Sequence, residues 1–134
     1  MRPIVRSCVR TSVFGVSTFL PVFLMAHVVE MYVHGIRPSG DWSYHFEAVL
    51  VAYVGLLIPV LVGSIIHGLS VAVAQLLGVR GLVGWTAALS VLLPIVAVAT
   101  GWAWYLIGFP ISVIAATIIY SVTVSISFRR SRRQ

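Results

Sequence analysis

Charged side chains are missing from most of this sequence, and their placement constrains the fold more than any other feature. Three stretches carry no charge at all: 11–29, 48–79 and 81–128. A helix needs roughly 20 apolar residues to cross the hydrocarbon core of a bilayer. The first two stretches each accommodate one such helix, and the third accommodates two with a tight turn. The sequence therefore predicts an all-α fold, an integral membrane four-helix bundle.

The composition excludes several other classes of protein. Apolar residues make up 60% of the chain, charged residues only 9%, and the mean hydropathy is +1.05. A soluble domain carries about 25% charged residues, so neither a soluble globular domain nor a disordered tail has this composition. The same scarcity of charge excludes a nucleic-acid-binding domain, despite an isoelectric point near 10.5. The single cysteine, Cys8, allows neither an internal disulfide nor a metal site built from several cysteines.

The positions of glycine, proline and charge divide a single transmembrane domain, 1–134, into four helices. We place these at about 12–33, 48–77, 82–105 and 110–128. Pro110 marks the start of the last helix, because proline is well tolerated at the first helical position. The N-terminal stretch is basic and has no acid, as in a signal sequence. The apolar run that follows it is too long for a cleaved signal, so we expect a retained signal anchor.

The arginines predict the orientation of the bundle. Eight of the nine lie in the N-terminal stretch, the turn between the second and third helices, and the C-terminal tail, and no acid accompanies them. The opposite side has Arg37 together with all three acids. Basic residues remain on the cytoplasmic side of a membrane. We therefore expect both termini inside the cell, in the plasma (bacterial inner) membrane, with an organellar inner membrane as the alternative.

All three acids and three of the four histidines gather on the predicted outer side, at the end of the first helix and in the loop after it. The first three are spaced i, i+3, i+7 and share one face of the helix. Imidazole and carboxylate together suit zinc or another divalent cation, and an ionisable group at membrane depth favours a proton or cation site. The sequence thus predicts an ion or partner site, with metal binding left open, formed by His27, Glu30, His34, Asp41, His45 and Glu47.

The alternative for this group is an interfacial role without a ligand. Glu30 and His34 then contact water and lipid headgroups, with Glu30 paired to Arg37. An acid at mid-membrane costs about 2.5–3.5 kcal/mol, and less near the interface. Because Glu30→Gln removes this cost, we expect folding to stay normal or to improve. An acid that is present at this depth despite its cost indicates a functional role.

Two further features lie on the second helix. His67 is expected to be buried, either hydrogen-bonded to a neighbouring helix or part of a buried polar site. It does not form a haem pair with His27, because the depths of the two differ by more than a haem can bridge. Ser64, Gly68 and Ala72 recur at intervals of four, a spacing of small residues that lets membrane helices approach closely. These three are expected to mediate helix packing, inside the bundle or between protomers.

No catalytic or nucleotide-binding motif is present, and we expect neither an enzyme nor a resident cofactor. The leading interpretation is a small polytopic membrane protein that acts in an assembly, as a transporter or channel protomer or as an accessory subunit of a membrane complex. One alternative is a toxin-immunity or other binding protein that uses the outer loop, 35–47. Another is a respiratory-complex membrane anchor with a quinone site near His67. The expected partners are the lipid bilayer and either further copies or other membrane subunits, without nucleic acid.

Overall fold

A computed structural model describes residues 2–35, 42–101 and 110–134, and all regular structure in these ranges is helical. Four helical rods are present. The first consists of α1 (Arg2–Phe14), a π-helical turn (Gly15–Phe19) and α2 (Leu20–Val33) in unbroken succession. The others are α3 (Trp42–Leu76), α4 (Leu82–Gly101) and α5 (Pro110–Arg132). The predicted all-α helical bundle is confirmed.

Three of the rods are long and apolar enough to cross a membrane. The spanning segments are Arg2–Val33, Val49–Leu76 and Pro110–Ser131. The described part of α4 contains a shorter apolar run, Leu82–Leu93. The chain is therefore a membrane protein by the length and composition of its helices.

The helices extend beyond the predicted boundaries. The first begins at Arg2 rather than near 12, α3 begins at Trp42 rather than near 48, and α5 continues to Arg132 rather than ending near 128. The predicted ends were placed where charged residues begin. Charged residues end the part of a helix that can cross the membrane, but the helix can continue through them, since arginine is a good helix former. The predicted end of the third helix, at 105, lies outside the described residues.

Contacts between helix ends show that neighbouring rods run in opposite directions. At one end, Ser7 of α1 meets Gln75 of α3, and the guanidinium carbon of Arg10 lies 5.1 Å from the ring centroid of Phe128 in α5. The turn between α3 and α4 lies at this same end, where Gly78 adopts a positive φ of 64°, a conformation that favours glycine. The two termini thus share one end of the bundle, and α2 meets the start of α5 at the other.

The first rod changes its neighbour at the π-helical turn. Below the turn α1 packs mainly on α3, and above it α2 packs mainly on α5. Within the turn, the N–H of Leu20 donates to the carbonyl of Gly15, five residues earlier. Pro21 follows directly and has no N–H to donate, so the wider turn accommodates a residue that interrupts regular α-helical bonding. The change of neighbour leaves the outer half of α3 in looser contact with the first rod than the inner half is.

Buried side chains of the described residues form the centre of the bundle. An apolar core lies between the first rod, α3 and α5, and buried serine and threonine hydroxyls lie among these side chains. The core includes Leu20, Phe23, Val71, Val113, Ala116, Tyr120, Val124 and Phe128. Dense packing of this kind holds the rods in fixed positions and thereby positions the polar groups described next.

Candidate functional site

Glu30 joins the end of α2 to the beginning of α5. Its side chain is 0% exposed, and its carboxylate accepts three hydrogen bonds. The backbone N–H of Ile111 donates to Oε1 at 3.0 Å, while the N–H and the hydroxyl of Ser112 donate to Oε2 at 2.9 and 2.6 Å. The first N–H groups of a helix have no partner within it, and the helix dipole favours a negative charge there. We call this arrangement, formed by Glu30, Ile111 and Ser112, the carboxylate clamp.

The two histidines on the same face as Glu30 have different surroundings. His34 ends α2, and its Nε2 lies 4.0 Å from Oε1 of Glu30 with 47% of the side chain exposed. His27 stacks on Phe23 at a centroid distance of 6.1 Å and an angle of 10°. His34 therefore flanks the clamp from the aqueous side, while His27 packs within the bundle.

The remaining members of the predicted outer site cannot all be located. Asp41 and Arg37 lie outside the described residues. His45 belongs to α3, but its side chain lies outside the described atoms. Glu47 occupies an exposed position in the first turns of α3. The structure thus brings together Glu30 and His34, and it pairs Glu30 with a helix terminus that the sequence analysis did not consider.

The clamp itself is poorly suited to hold a metal ion. Both carboxylate oxygens of Glu30 already accept hydrogen bonds, and a cation would have to displace these donors. Within residues 2–35, 42–101 and 110–134, no group of three or more His, Cys, Asp or Glu side chains is placed to bind a metal. What the arrangement can do chemically is hold a negative charge in the protein interior at a helix N-terminus.

A second polar group, centred on His67, connects α3, α4 and α5. His67 is 1% exposed; its Nδ1 lies 2.8 Å from the Tyr120 hydroxyl and its Nε2 lies 3.2 Å from the Ser90 hydroxyl. The Ser90 hydroxyl donates to the carbonyl of Thr86 at 2.6 Å, so its oxygen is left to accept from Nε2–H. In a neutral imidazole the other nitrogen is an acceptor, and Nδ1 therefore accepts from Tyr120.

These hydrogen bonds run in one direction, from Tyr120 through His67 and Ser90 to Thr86. We call these four residues the histidine chain. Both nitrogens of the imidazole are engaged, so the ring as it stands has no free donor or acceptor for a ligand. The hydrogen bonds of His67 to Tyr120 and Ser90 link three helices in the apolar interior, so they also fix the rotation of these helices relative to one another.

The small residues of α3 lie where it contacts α1. Ser64, Gly68 and Ala72 are all buried. A Cβ atom added at Gly68 would lie 2.6 Å from Cα of Cys8 and 2.8 Å from its backbone nitrogen, so the two backbones approach too closely for any side chain. Thr11 donates from its hydroxyl to the carbonyl of Ser64 at 2.7 Å. Of the two alternatives for this stripe, the structure places it inside the bundle.

The sequence analysis missed the partners of each group. Ser112 is two residues after Pro110, so the helix start was visible, but nothing in the spacing connects it to a carboxylate in another helix. Tyr120 and Ser90 lie in helices that contain other hydroxyl side chains, and no periodic pattern distinguishes them. Pairings between helices depend on depth and rotation, which a single sequence does not contain.

Comparison with known proteins finds no relative. No protein-family model matches the chain, no curated protein matches it, and no solved structure matches its fold. What the chain does therefore follows only from its own residues and contacts.

Proposed function

We propose that this chain is a non-enzymatic subunit of a membrane assembly and that it joins its partner within the bilayer through α3. The observation that carries the proposal is the open space around Gly55 and Gly63. Apart from the adjoining residues and backbone of α3 itself, no atom of the described residues lies within 4 Å of a Cβ built at either position. In lipid, helices associate through small residues because these allow close approach of the backbones. Gly55 and Gly63 provide such a surface, and none of the described residues packs against it.

A comparable set of small residues on the same helix is packed against α1. Each member of the set Gly55, Pro59 and Gly63 lies nine positions before its counterpart in the stripe that contacts α1. At about 100° per residue, nine positions are half a turn of the helix, so the two sets lie on opposite faces. One face is packed against α1 at backbone contact. The other has glycines at Gly55 and Gly63 with none of the described residues packed against them, and we propose that it receives a helix of another polypeptide.

The outer half of α3 adds apolar area beside these glycines. Large apolar side chains are exposed on this half of the helix. Val51, Val54 and Ile58 are 72%, 59% and 69% exposed. A helix docked along this half would cover them together with Gly55.

The described residues form a buried core between the helices, and this favours an accessory subunit over a solute pathway within one chain. A transporter or channel built from this protein would need its pathway between copies, which also requires association through an outer surface. The engaged nitrogens of His67 give little support to a quinone site near it. We propose the plasma membrane as the location, with both termini inside, on the basis of the arginine distribution.

One observation favours a second candidate, a binding protein that uses the outer loop. Phe46 is 70% exposed and lies beside the exposed Glu47, in the part of α3 that precedes its spanning segment, Val49–Leu76. An exposed aromatic ring next to an acid outside the membrane suits recognition of a soluble protein, such as a toxin.

Site-specific photocrosslinking in native membranes tests the proposal. A photoreactive residue at Val54 should yield a protein adduct, whereas one at Ile118, which is 56% exposed on α5, should yield none. Gly55→Leu should reduce the Val54 adduct without loss of thermal stability, because the side chain enters open space. Protein adducts at neither position, or equally at both, would contradict a docking surface on α3.

The mass of the adduct separates the possible assemblies. An adduct of two copies of the 14.6 kDa chain indicates a homo-oligomer and keeps a pathway between copies possible. An adduct with a different membrane protein indicates an accessory subunit. A photoreactive residue at Phe46 tests the second candidate, which predicts an adduct with a soluble protein added from outside.

A further inference from the structure

Three arginines line a cavity at the end of the bundle where the termini meet. The cavity has a volume of about 490 Å³ and lies between α1, the end of α3 and the end of α5. Arg2, Arg6 and Arg10 are spaced four residues apart and share one face of α1. The polar side chains of Ser7, Gln75 and Ser131 also line the cavity. It therefore combines three permanent positive charges with neutral hydrogen-bonding groups in one partly open cavity.

Among the described residues, no acidic side chain lies near these charges. The whole sequence contains three acids. Glu30 is held in the carboxylate clamp and Glu47 lies near the start of α3, both at the opposite end of the bundle, while Asp41 falls outside the described residues. The ends of α3 and α5 bring carbonyl dipoles of negative sign to the cavity, but the α5 tail also adds Arg129, Arg130 and Arg133 nearby. An anion supplied from outside would balance this excess of positive charge.

Contacts at the cavity hold its polar groups in place. The guanidinium of Arg10 lies over the ring of Phe128, at a distance favourable for a cation–π interaction. The hydroxyl of Ser7 donates to Oε1 of Gln75 at 3.5 Å, which leaves the Gln75 amide nitrogen as a donor. Guanidinium groups bind phosphate oxygens with two parallel hydrogen bonds. The lining thus suits a phosphate group better than a neutral ligand.

The cavity continues into an apolar groove on the outside of α1. The groove measures about 600 Å³ and lies between the same arginines and two valines, Val5 and Val9. These valines are 55% and 58% exposed. The segment Arg2–Val33 has 32 residues and is about 48 Å long at ~1.5 Å per residue, whereas the hydrocarbon core is about 30 Å thick. The arginines therefore lie at headgroup depth, with the valines leading toward the acyl chains.

We propose that this cavity binds a phosphate-bearing anion, with the phosphate between Arg2, Arg6 and Arg10. The adjoining valine groove favours a membrane phospholipid with net negative charge over a soluble phosphate ester. The site is distinct from the α3 surface and does not depend on it. It also differs from the general attraction of basic tails to anionic membranes, because it places one headgroup in a defined cavity.

Native mass spectrometry of the protein in neutral detergent tests the site. Phosphatidylglycerol, phosphatidylcholine with the same acyl chains, and glycerol 3-phosphate are titrated in separate arms. We expect one phosphatidylglycerol molecule per chain at saturation and much weaker binding of phosphatidylcholine. Glycerol 3-phosphate that binds as tightly as phosphatidylglycerol would keep the phosphate site and assign it to a soluble ester. Equal binding of the anionic and zwitterionic lipids would overturn the proposal.

Matched variants separate a defined site from diffuse charge. Arg6→Gln should weaken phosphatidylglycerol binding by about fivefold or more, and Arg6→Lys, which retains the charge without the planar donors, should give a smaller loss. Arg80→Gln removes an exposed charge that does not line the cavity and should leave binding nearly unchanged. Equal losses in Arg6→Gln and Arg80→Gln would show a diffuse positive surface and contradict the site. The melting temperature without lipid confirms that each variant is folded.

Discussion

Glu30→Gln tests whether the carboxylate clamp stabilises the bundle. A carboxylate accepts all three hydrogen bonds from Ile111 and Ser112, whereas the amide of glutamine has one acceptor oxygen and an NH₂ group that cannot accept. At least one backbone N–H of α5 then faces another donor. An unsatisfied buried donor costs about 1–3 kcal/mol, and the lost charge at the helix N-terminus removes a further ~0.3–2 kcal/mol.

A gain opposes this loss, because an uncharged side chain no longer has to be held at membrane depth. That cost is about 2.5–3.5 kcal/mol at mid-membrane and falls toward the interface. Glu30 lies within one turn of Val33, where its spanning segment ends, so the gain is small. We expect Glu30→Gln to lower the free energy of unfolding by about 1–3 kcal/mol.

The assay is reversible unfolding in mixed micelles, with sodium dodecyl sulfate as denaturant and tryptophan fluorescence as the signal. Glu47→Gln is the matched control, since it removes an acid from an exposed position at the same end of the bundle and should not change stability. Ser112→Ala in the Glu30→Gln background should cost less than it does alone, because the two residues act together. Equal or higher stability of Glu30→Gln, which the sequence argument from charge burial predicts, would refute the clamp.

Other predictions concern the helix contacts and the orientation. Gly68→Ala should lower the melting temperature, because an overpacked contact costs about 1–3 kcal/mol of unfolding free energy. Gly63→Ala should be neutral or stabilising by up to ~1 kcal/mol. Similar effects of the two substitutions would show that α1 and α3 are not in backbone contact. Tyr120→Phe removes the donor to the imidazole and should destabilise by about 1–3 kcal/mol, while Tyr32→Phe at an exposed position should not, as urea or detergent titration will show. Ser39→Cys, in a chain whose native cysteine has been replaced, should react with an impermeant maleimide in intact cells. Reaction only after lysis would show the opposite orientation.

The number of helices was predictable because the physics that selects them is coarse. A charge at mid-membrane is costly, so uncharged stretches reveal spans without any knowledge of packing. The helix ends were less predictable, since Arg2, Arg6 and Arg10 continue the first helix into the headgroup layer. Sequence periodicity also predicted that Ser64, Gly68 and Ala72 share a face, which the structure places against α1.

The pairings within the polar groups were not predictable in the same way. Helical spacing placed Glu30 beside His34, but it could not show that the carboxylate reaches the start of α5. It predicted burial of His67 without its partners, because Tyr120 and Ser90 belong to helices whose rotation is set by packing over their whole length. The π-helical turn at Gly15–Phe19 had a partial signal in Pro21, which indicates interrupted bonding but not the form of the interruption.

The mass of the particle extracted directly from native membranes tests the central claim, that this chain acts as a subunit of an assembly. Extraction with a styrene–maleic acid copolymer keeps the surrounding lipid and avoids detergent, and native mass spectrometry then gives the polypeptide content. The account predicts a particle that contains the 14.6 kDa chain together with at least one further polypeptide, either a second copy or another membrane subunit. It also predicts that this further polypeptide is lost from the particle of the Gly55→Leu variant. A particle with a single copy of the chain and no other polypeptide would contradict it.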